Sequence, residues 1–356
     1  MDSTEESYAK LARYCHNMKK TNPGSAFFIE TEAENCFKFF FMSLGQCIRG
    51  FRNTMQPLIL VDGTTLKSKY QDKLIIATCQ DANIQIYHIA FGIINNENDL
   101  SMRWFFTKLK EVIGEVEDLA FVTDRGQSII NGIAEVFSNA HHRYCMYHIQ
   151  GNLKTRYRGK GIVSLFRRVA ETYSIEECNR MSIQYDDVKQ REISQCIIQE
   201  WFHDRRTESH NCTSVLAAAQ EVKLFKAAEI GRKLNAEPLN ESRFSVEYAR
   251  HTTYMVDFTD ETGTCKQFQL ESFSCEYAVA VAMYRGLAAR TFCSPYYTAK
   301  KWRVAYVETI FSLPNEVEWE VSNHIRPFNT LSPPLIESRG PGRPSTSRIP
   351  STGEFS

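Results

Sequence analysis

Two acidic residues stand where an acid is costly. Residues 58–61 (LILV) make an apolar run suited to a core, and the next residues are Asp62 and Gly63. Residues 119–123 (LAFVT) repeat the pattern and lead into Asp124, Arg125 and Gly126. A short buried strand followed by Asp and a turn puts a carboxylate at the crevice beyond the strand's carboxyl end, where open α/β sheets bind ligands. Two such carboxylates from adjacent strands supply hard oxygen ligands for divalent cations. The pair can orient a water or hydroxyl for in-line attack on phosphorus and offset charge on the leaving oxygen. The same pattern also serves plainer ends, because Asp is a common turn and helix-capping residue. Position alone leaves both readings open.

A basic stretch follows. Between His141 and Arg168 there is no Asp or Glu, while Arg143, Lys154, Arg156, Arg158, Lys160, Arg167 and Arg168 are interleaved with Tyr144, Tyr147 and Tyr157. In a chain whose formal net charge is zero, such a local excess suits a surface that tracks phosphates. Within it, Cys145-Met146-Tyr147-His148 brings a thiol and an imidazole close together. A zinc site would need two more ligands, and none is evident nearby, so a packed strand end is the plainer account.

The elements that must position these groups alternate in type. Residues 1–55 begin as a helix stopped by Asn22-Pro23-Gly24, and a strand pair follows in SAFFIETEAENCFKFFFMSLG. KLIIATCQDANIQIYHIAFGII reads as two strands joined at Asp81-Ala82-Asn83. Asp99 and Ser101 are candidate caps for a helix whose apolar face carries Trp104, Phe105, Leu109, Val112 and Ile113. QSIINGIAEVF is a further helix, and HHRYCMYHI a strand-like run. Strands alternating with helices predict an α/β layer. Residues 152–240 turn helical and charged, residues 241–290 are strand-rich, and the Pro/Gly/Ser-rich tail from 331 predicts disorder.

Length and composition narrow the class. With 356 residues and 43% hydrophobic content the chain can bury a sizeable core in more than one domain. Eleven cysteines without a compact framework suit reduced thiols in the cytosol or nucleus. The polar, acidic start is neither a secretory nor a transit segment, and no apolar run is long enough to span a membrane.

Through VDGTTLKSKY, ATCQDANIQIYHIAFGIINNENDLSMRWFF, VTDRGQSIINGIAEVF and NAHHRYCMYHIQGNLK, in that order, the chain resembles plant Mutator-like (MULE) transposases. The resemblance implies an RNase H-like α/β fold with a helical insertion, a nuclear location and DNA as partner. It implies a catalytic Asp-Asp-Glu triad that cuts and joins DNA with Mg2+ or Mn2+. By motif, Asp62 is the first acid, Asp124 the second, and Cys145 and His148 occupy the family's CxxH positions. The domains expected are a pre-catalytic region (1–55), the transposase domain with its helical part (56–240), a degenerate SWIM-like zinc finger (241–290), a helical segment (291–330) and the tail (331–356).

Departures from the family carry their own expectations. The segment bearing the third acid looks deleted. Glu192 matches a different, non-catalytic family position, and Glu171, Glu176 and Glu177 fall in insertion-like sequence. Weak or absent strand transfer is the expectation, with an active metal-dependent transposase as the alternative. In the SWIM-like stretch, Gly263 and Tyr277 replace two zinc ligands and leave Cys265 and Cys275, too few to hold Zn2+ tightly. In the tail, Arg339-Gly340-Pro341-Gly342-Arg343-Pro344 resembles an AT-hook core able to enter a narrow A·T minor groove. Self-association and protein partners are left open.

Overall fold

In the computed structural model of the chain, the structure describes residues 4–66, 70–156, 195–249, 252–320 and 331–334. The first helix, α1 (Thr4–Thr21), ends where Asn22-Pro23-Gly24 breaks it. Strands β1 (Ala26–Thr31) and β2 (Phe37–Ser43) then pair antiparallel, and α2 (Gly45–Thr54) leads to β3 (Leu58–Thr65). A meander follows through β4 (Lys73–Gln80) and β5 (Ile86–Ile94), with its turn at Asp81–Asn83 as the sequence predicts. Helix α3 (Asp99–Ile113), β6 (Ala120–Thr123), α4 (Gln127–Val136), β7 (His141–Tyr144) and α5 (Met146–Arg156) complete this part.

The seven strands form one mixed sheet in the order β1-β2-β5-β4-β3-β6-β7. Strand β3 runs parallel to β6, and β6 parallel to β7. Because β4 is antiparallel to both β3 and β5, β5 also runs in the direction of β3. With β1, which is antiparallel to β2 as β2 is to β5, five strands deliver their carboxyl ends to a single edge of the sheet. That edge positions the candidate site.

Helix α3 packs as its periodicity requires. Phe105, Leu109 and Ile113 are fully buried, Trp104 and Val112 flank them, and Phe106 meets Phe121 and Phe137 edge to face. Its cap is Asn98, one residue before the expected Asp99. The Asn98 side chain accepts from the Ser101 amide while the Ser101 hydroxyl accepts from the Asn98 amide, so Ser101 is the third helical residue of a capping box. Three-residue spacing, which the Asp99 assignment lacked, decides this end.

Helices α6 (Gln195–Asn211) and α10 (Ala299–Ala305) gather with α2 around Tyr87 of β5, whose ring meets Phe202 and Tyr306. The same core takes Met18 from α1 and Ile310 from beyond α10. A second, four-stranded antiparallel sheet runs β11-β10-β9-β8 (Thr262–Gly263, Thr252–Asp257, Arg243–Ala249, Asn235–Pro238). It is accompanied by α7 (Ala218–Gly231), α8 (Gln267–Glu271) and α9 (Glu276–Tyr284) around Phe244, Val256, Phe268 and Val281. Leu331, which the sequence puts at the head of a disordered tail, is instead buried against Cys15, Phe37 and Phe40, and Ser332 bridges to Cys36. One large apolar side chain with a waiting pocket outweighs the local Pro/Ser composition. Among the described residues no helix is long and apolar enough to cross a membrane.

Burial leaves one imidazole sensitive to acid. His88 of β5 is 3% exposed and its ring is stacked between Phe91 and Trp201 at 5.5 and 4.5 Å. Burial, with Arg205 nearby, pushes its pKa down to about 3. The unfolded chain binds this proton below its ordinary 6.5 and the folded chain does not. Stability is therefore complete above that value and falls by about 1.4 kcal/mol for each pH unit below it. Thermal melts at pH 7 and pH 5 should show a larger drop for wild type than for His88→Phe; equal drops would contradict this account.

Candidate active site

Register sets the central geometry. In the parallel pair β3/β6, Val61 stands opposite Thr123. The next residue on each strand is an aspartate, so Asp62 and Asp124 emerge side by side. Asp124 follows its strand as the sequence predicts. Asp62 does not end its own: β3 continues to Thr65, with Asp62 opposite Ile76 of β4. The antiparallel partner keeps pairing past the acid, while the shorter β6 stops at Thr123.

Each carboxylate is aimed by a glycine amide. Gly63 N–H donates to Asp62 Oδ1 at 2.8 Å, and Gly126 N–H donates to Asp124 Oδ1 at 2.9 Å. Gly126 is also the residue from which α4 starts, so the amino end of that helix adds favourable partial charge beside Asp124. A cavity of about 490 Å3 opens here, lined by Asp124, Arg125, Gly126 and His148.

Strand β7 ends at Tyr144 because its partner β6 has run out. The Cys145 amide still donates to Thr123 O at 2.6 Å, and the chain turns into α5 from Met146. The strand expected through HHRYCMYHI is thus a four-residue strand followed by a helix. The half-turn between them carries His148 back over the edge, where its Nε2 lies 4.0 Å from Asp62 Oδ1. Its pKa is raised, first by the hydrogen bond with Cys145 and then by the charges of Asp62 and Asp124. The CxxH motif therefore belongs to the same site as the two aspartates.

A further carboxylate near this edge, Glu97 in the polar run NNEND, comes from the loop after β5. A methyl group built on Gly126 would meet Glu97 Oε1 at 3.0 Å and Asp124 Oδ1 at 3.1 Å, and one on Gly63 would meet Glu97 Oε2 at 3.8 Å. The Glu97 pKa is raised, mainly by burial and then by the charge of Asp124, with Asp62 adding to it; Lys73 and a hydrogen bond with Ser128 act the other way. Among the described residues no three His, Cys, Asp or Glu side chains are already drawn together as a metal cage. Carboxylate oxygens are the donors that hard cations such as Mg2+ or Mn2+ take, and a methyl group at Gly126 would fill the space between Glu97 and Asp124.

The remaining predicted residues are placed differently. Arg143 is exposed on β7, and Lys154 and Arg156 fall on α5. Arg158, Lys160, Arg167, Arg168, Arg339 and Arg343 lie outside the described residues, as do Glu171, Glu176, Glu177 and Glu192. In the second sheet unit Cys265 and Cys275 come together, Sγ to Sγ 3.7 Å apart. The hydrogen bond between the two thiols, in which either sulfur can donate, lowers the Cys265 pKa and raises that of Cys275. Tyr277 packs with Tyr254 and Tyr248, and Gly263 backs onto Cys265 Sγ. Neither offers a metal ligand.

A family model described as the MULE transposase domain matches residues 58–152. That span begins at the first residue of β3 and contains Asp62, Glu97, Asp124, Cys145 and His148. No curated protein matches the chain.

Proposed function

We propose that this chain is a transposase-derived protein of the Asp-Asp-Glu type that binds DNA and holds divalent cations between Asp62 and Asp124. The single observation that carries the reading is the β3/β6 register, which delivers both aspartates to one sheet edge inside the span matched by the MULE transposase domain. An RNase H-like core fits the order β5-β4-β3-β6-β7 with β4 alone reversed among these five strands.

Each residue has a task in this reading. Asp62 and Asp124, held by the Gly63 and Gly126 amides, present fixed oxygens to the cation. Arg125 lines the cleft and supplies positive charge for a phosphate. His148 sits within reach of Asp62 and, when protonated, balances part of the acidic charge. When bound, divalent cations would position the attacking oxygen and stabilise charge on the leaving one. Arg143 with Lys154 and Arg156, on the segment immediately before and within α5, supplies backbone-tracking charge for DNA, and a nuclear location follows from such a partner. The SWIM-like unit holds together through its apolar residues, and the pair Cys265 and Cys275 binds Zn2+ weakly at most.

Calorimetric titration of Mn2+ into the purified chain tests the central claim. Wild type should bind, while Asp62→Asn and Asp124→Asn should each weaken binding at least tenfold with unchanged far-UV circular dichroism. Equal binding by wild type and both variants would mean the carboxylates are not ligands.

A further inference from the structure

We propose that Cys265 and Cys275 form a reversible disulfide when the chain meets a hydroperoxide, which makes the second sheet unit a site of redox modification. The inference is independent of the cation-binding reading of Asp62 and Asp124. Proximity carries it: the two sulfurs lie 3.7 Å apart although the residues are 10 positions apart in sequence. A covalent S–S bond is about 2 Å long, so rotation of the two side chains closes the gap with little backbone movement. The backbone between them is already bent to bring its ends together. Lys266 and Ser272 both hold positive φ, 66° and 46°, one at the entry to α8 and the other at its exit. Among the described residues no three His, Cys, Asp or Glu side chains gather here as a metal cage, so the two sulfurs are left to each other.

The two thiols differ as an attacking and a resolving cysteine must. Cys265 is partly exposed in the turn between β11 and α8, while Cys275 is 2% exposed at the cap of α9. A small oxidant arriving from solvent therefore meets Cys265 first. Ala278 N–H donates to Cys275 Sγ at 3.5 Å, which fixes the buried sulfur beside its partner. Attack by the Cys265 sulfur on the hydroperoxide forms an S–O bond and breaks the O–O bond. The departing alkoxide or hydroxide takes up the proton that the thiol gave to solvent, and Cys265 is left as a sulfenic acid. The Cys275 sulfur then attacks Cys265 Sγ: the S–S bond forms, the S–O bond breaks, and hydroxide leaves with the Cys275 proton as water. Each thiol gives up one electron, and the peroxide oxygens take both. A thiol reductant reverses the step. Within a reducing compartment such a bond is a transient, sensing one rather than a permanent staple.

Peptide mapping of the full-length chain tests the proposal. Trypsin cuts after Lys266, so the two cysteines fall in different peptides, residues 251–266 and 267–285. After treatment with hydrogen peroxide and alkylation of the remaining thiols, the nonreduced digest should contain these two peptides joined, and dithiothreitol should separate them. The oxidised chain should melt several degrees above the reduced chain, because the closed loop restricts the unfolded state. In Cys275→Ser the same treatment should leave Cys265 as a sulfenic acid that dimedone traps. Unlinked, alkylated peptides 251–266 and 267–285 after peroxide would overturn the proposal, as would a link from 267–285 to residues 291–300, which carry Cys293. A purified chain with Zn2+ tightly bound at the pair would overturn it too. The wild-type map needs no variant, so it stands even where Cys275→Ser fails to fold.

Discussion

Asp81→Ala should destabilise the chain by about 3–5 kcal/mol, the usual cost of leaving buried partners of a charge uncompensated. Asp81 lies in the β4–β5 turn and is 4% exposed. Its Oδ1 accepts from the amides of Asn83 and Gln85 at 2.9 and 2.8 Å, which makes the turn. Its Oδ2 accepts from Trp302 Nε1 at 3.0 Å and Tyr306 Oη at 2.8 Å, which fastens α10 and the residue after it to the sheet. The half-buried guanidinium of Arg205 attracts the same carboxylate. Burial still raises the Asp81 pKa, because desolvation outweighs Arg205 and the hydrogen bonds. Alanine leaves an indole N–H and a phenol without their acceptor and removes the charge that faces Arg205, in addition to opening the turn. Urea unfolding followed by tryptophan fluorescence measures the loss; a change below about 1 kcal/mol would show that water replaces the carboxylate at little cost.

Gly50→Ala, in α2, should be the most damaging single methyl addition, with a cost of about 3 kcal/mol or more. The added carbon would lie 1.9 Å from Tyr87 Oη, 2.8 Å from Tyr87 Cζ and 3.1 Å from Ala305 O. Alanine is the better helix former by about 1 kcal/mol, so the local preference acts against the predicted sign. The clash wins because Tyr87 is fully buried between Phe202 and Tyr306 and has nowhere to turn. Tyr87→Phe removes the hydroxyl at the shortest contact, so the double variant should recover part of the loss. A double-mutant cycle from urea melts reads the coupling directly, and strict additivity would mean α2 shifts as a body to relieve the contact.

How far the sequence could foresee this arrangement depends on whether a feature is local. Helices α1, α3 and α4 and the β4–β5 turn follow from apolar spacing and from Asn22-Pro23-Gly24 or Asp81-Asn83, all written within a few residues. The acids at 62 and 124 were legible because a carboxylate after four or five apolar residues breaks the pattern of a buried strand. Their closeness was not, since it depends on which strands pair and in what register. Glu97 escaped for the same reason. It lies in the polar run NNEND, where an acid attracts no notice, and only the parallel course of β5 and β3 across the reversed β4 brings it over the aspartates. Its distance from the end of β5, three residues beyond Ile94, was the one available signal. The start of α5 at Met146 was hidden because β-branched and aromatic neighbours read as strand until the partner strand runs out.

The pairings that place all three carboxylates are complete within residues 58–123: β3 with β4, β4 with β5, and β3 with β6. None of them spans the stretch between α5 and α6, residues 157–194. The chain can therefore lengthen or shorten between those helices without shifting the register that aligns Asp62, Glu97 and Asp124. This edge of the sheet is assembled from one uninterrupted piece of sequence, and a change of length downstream leaves its register unaltered.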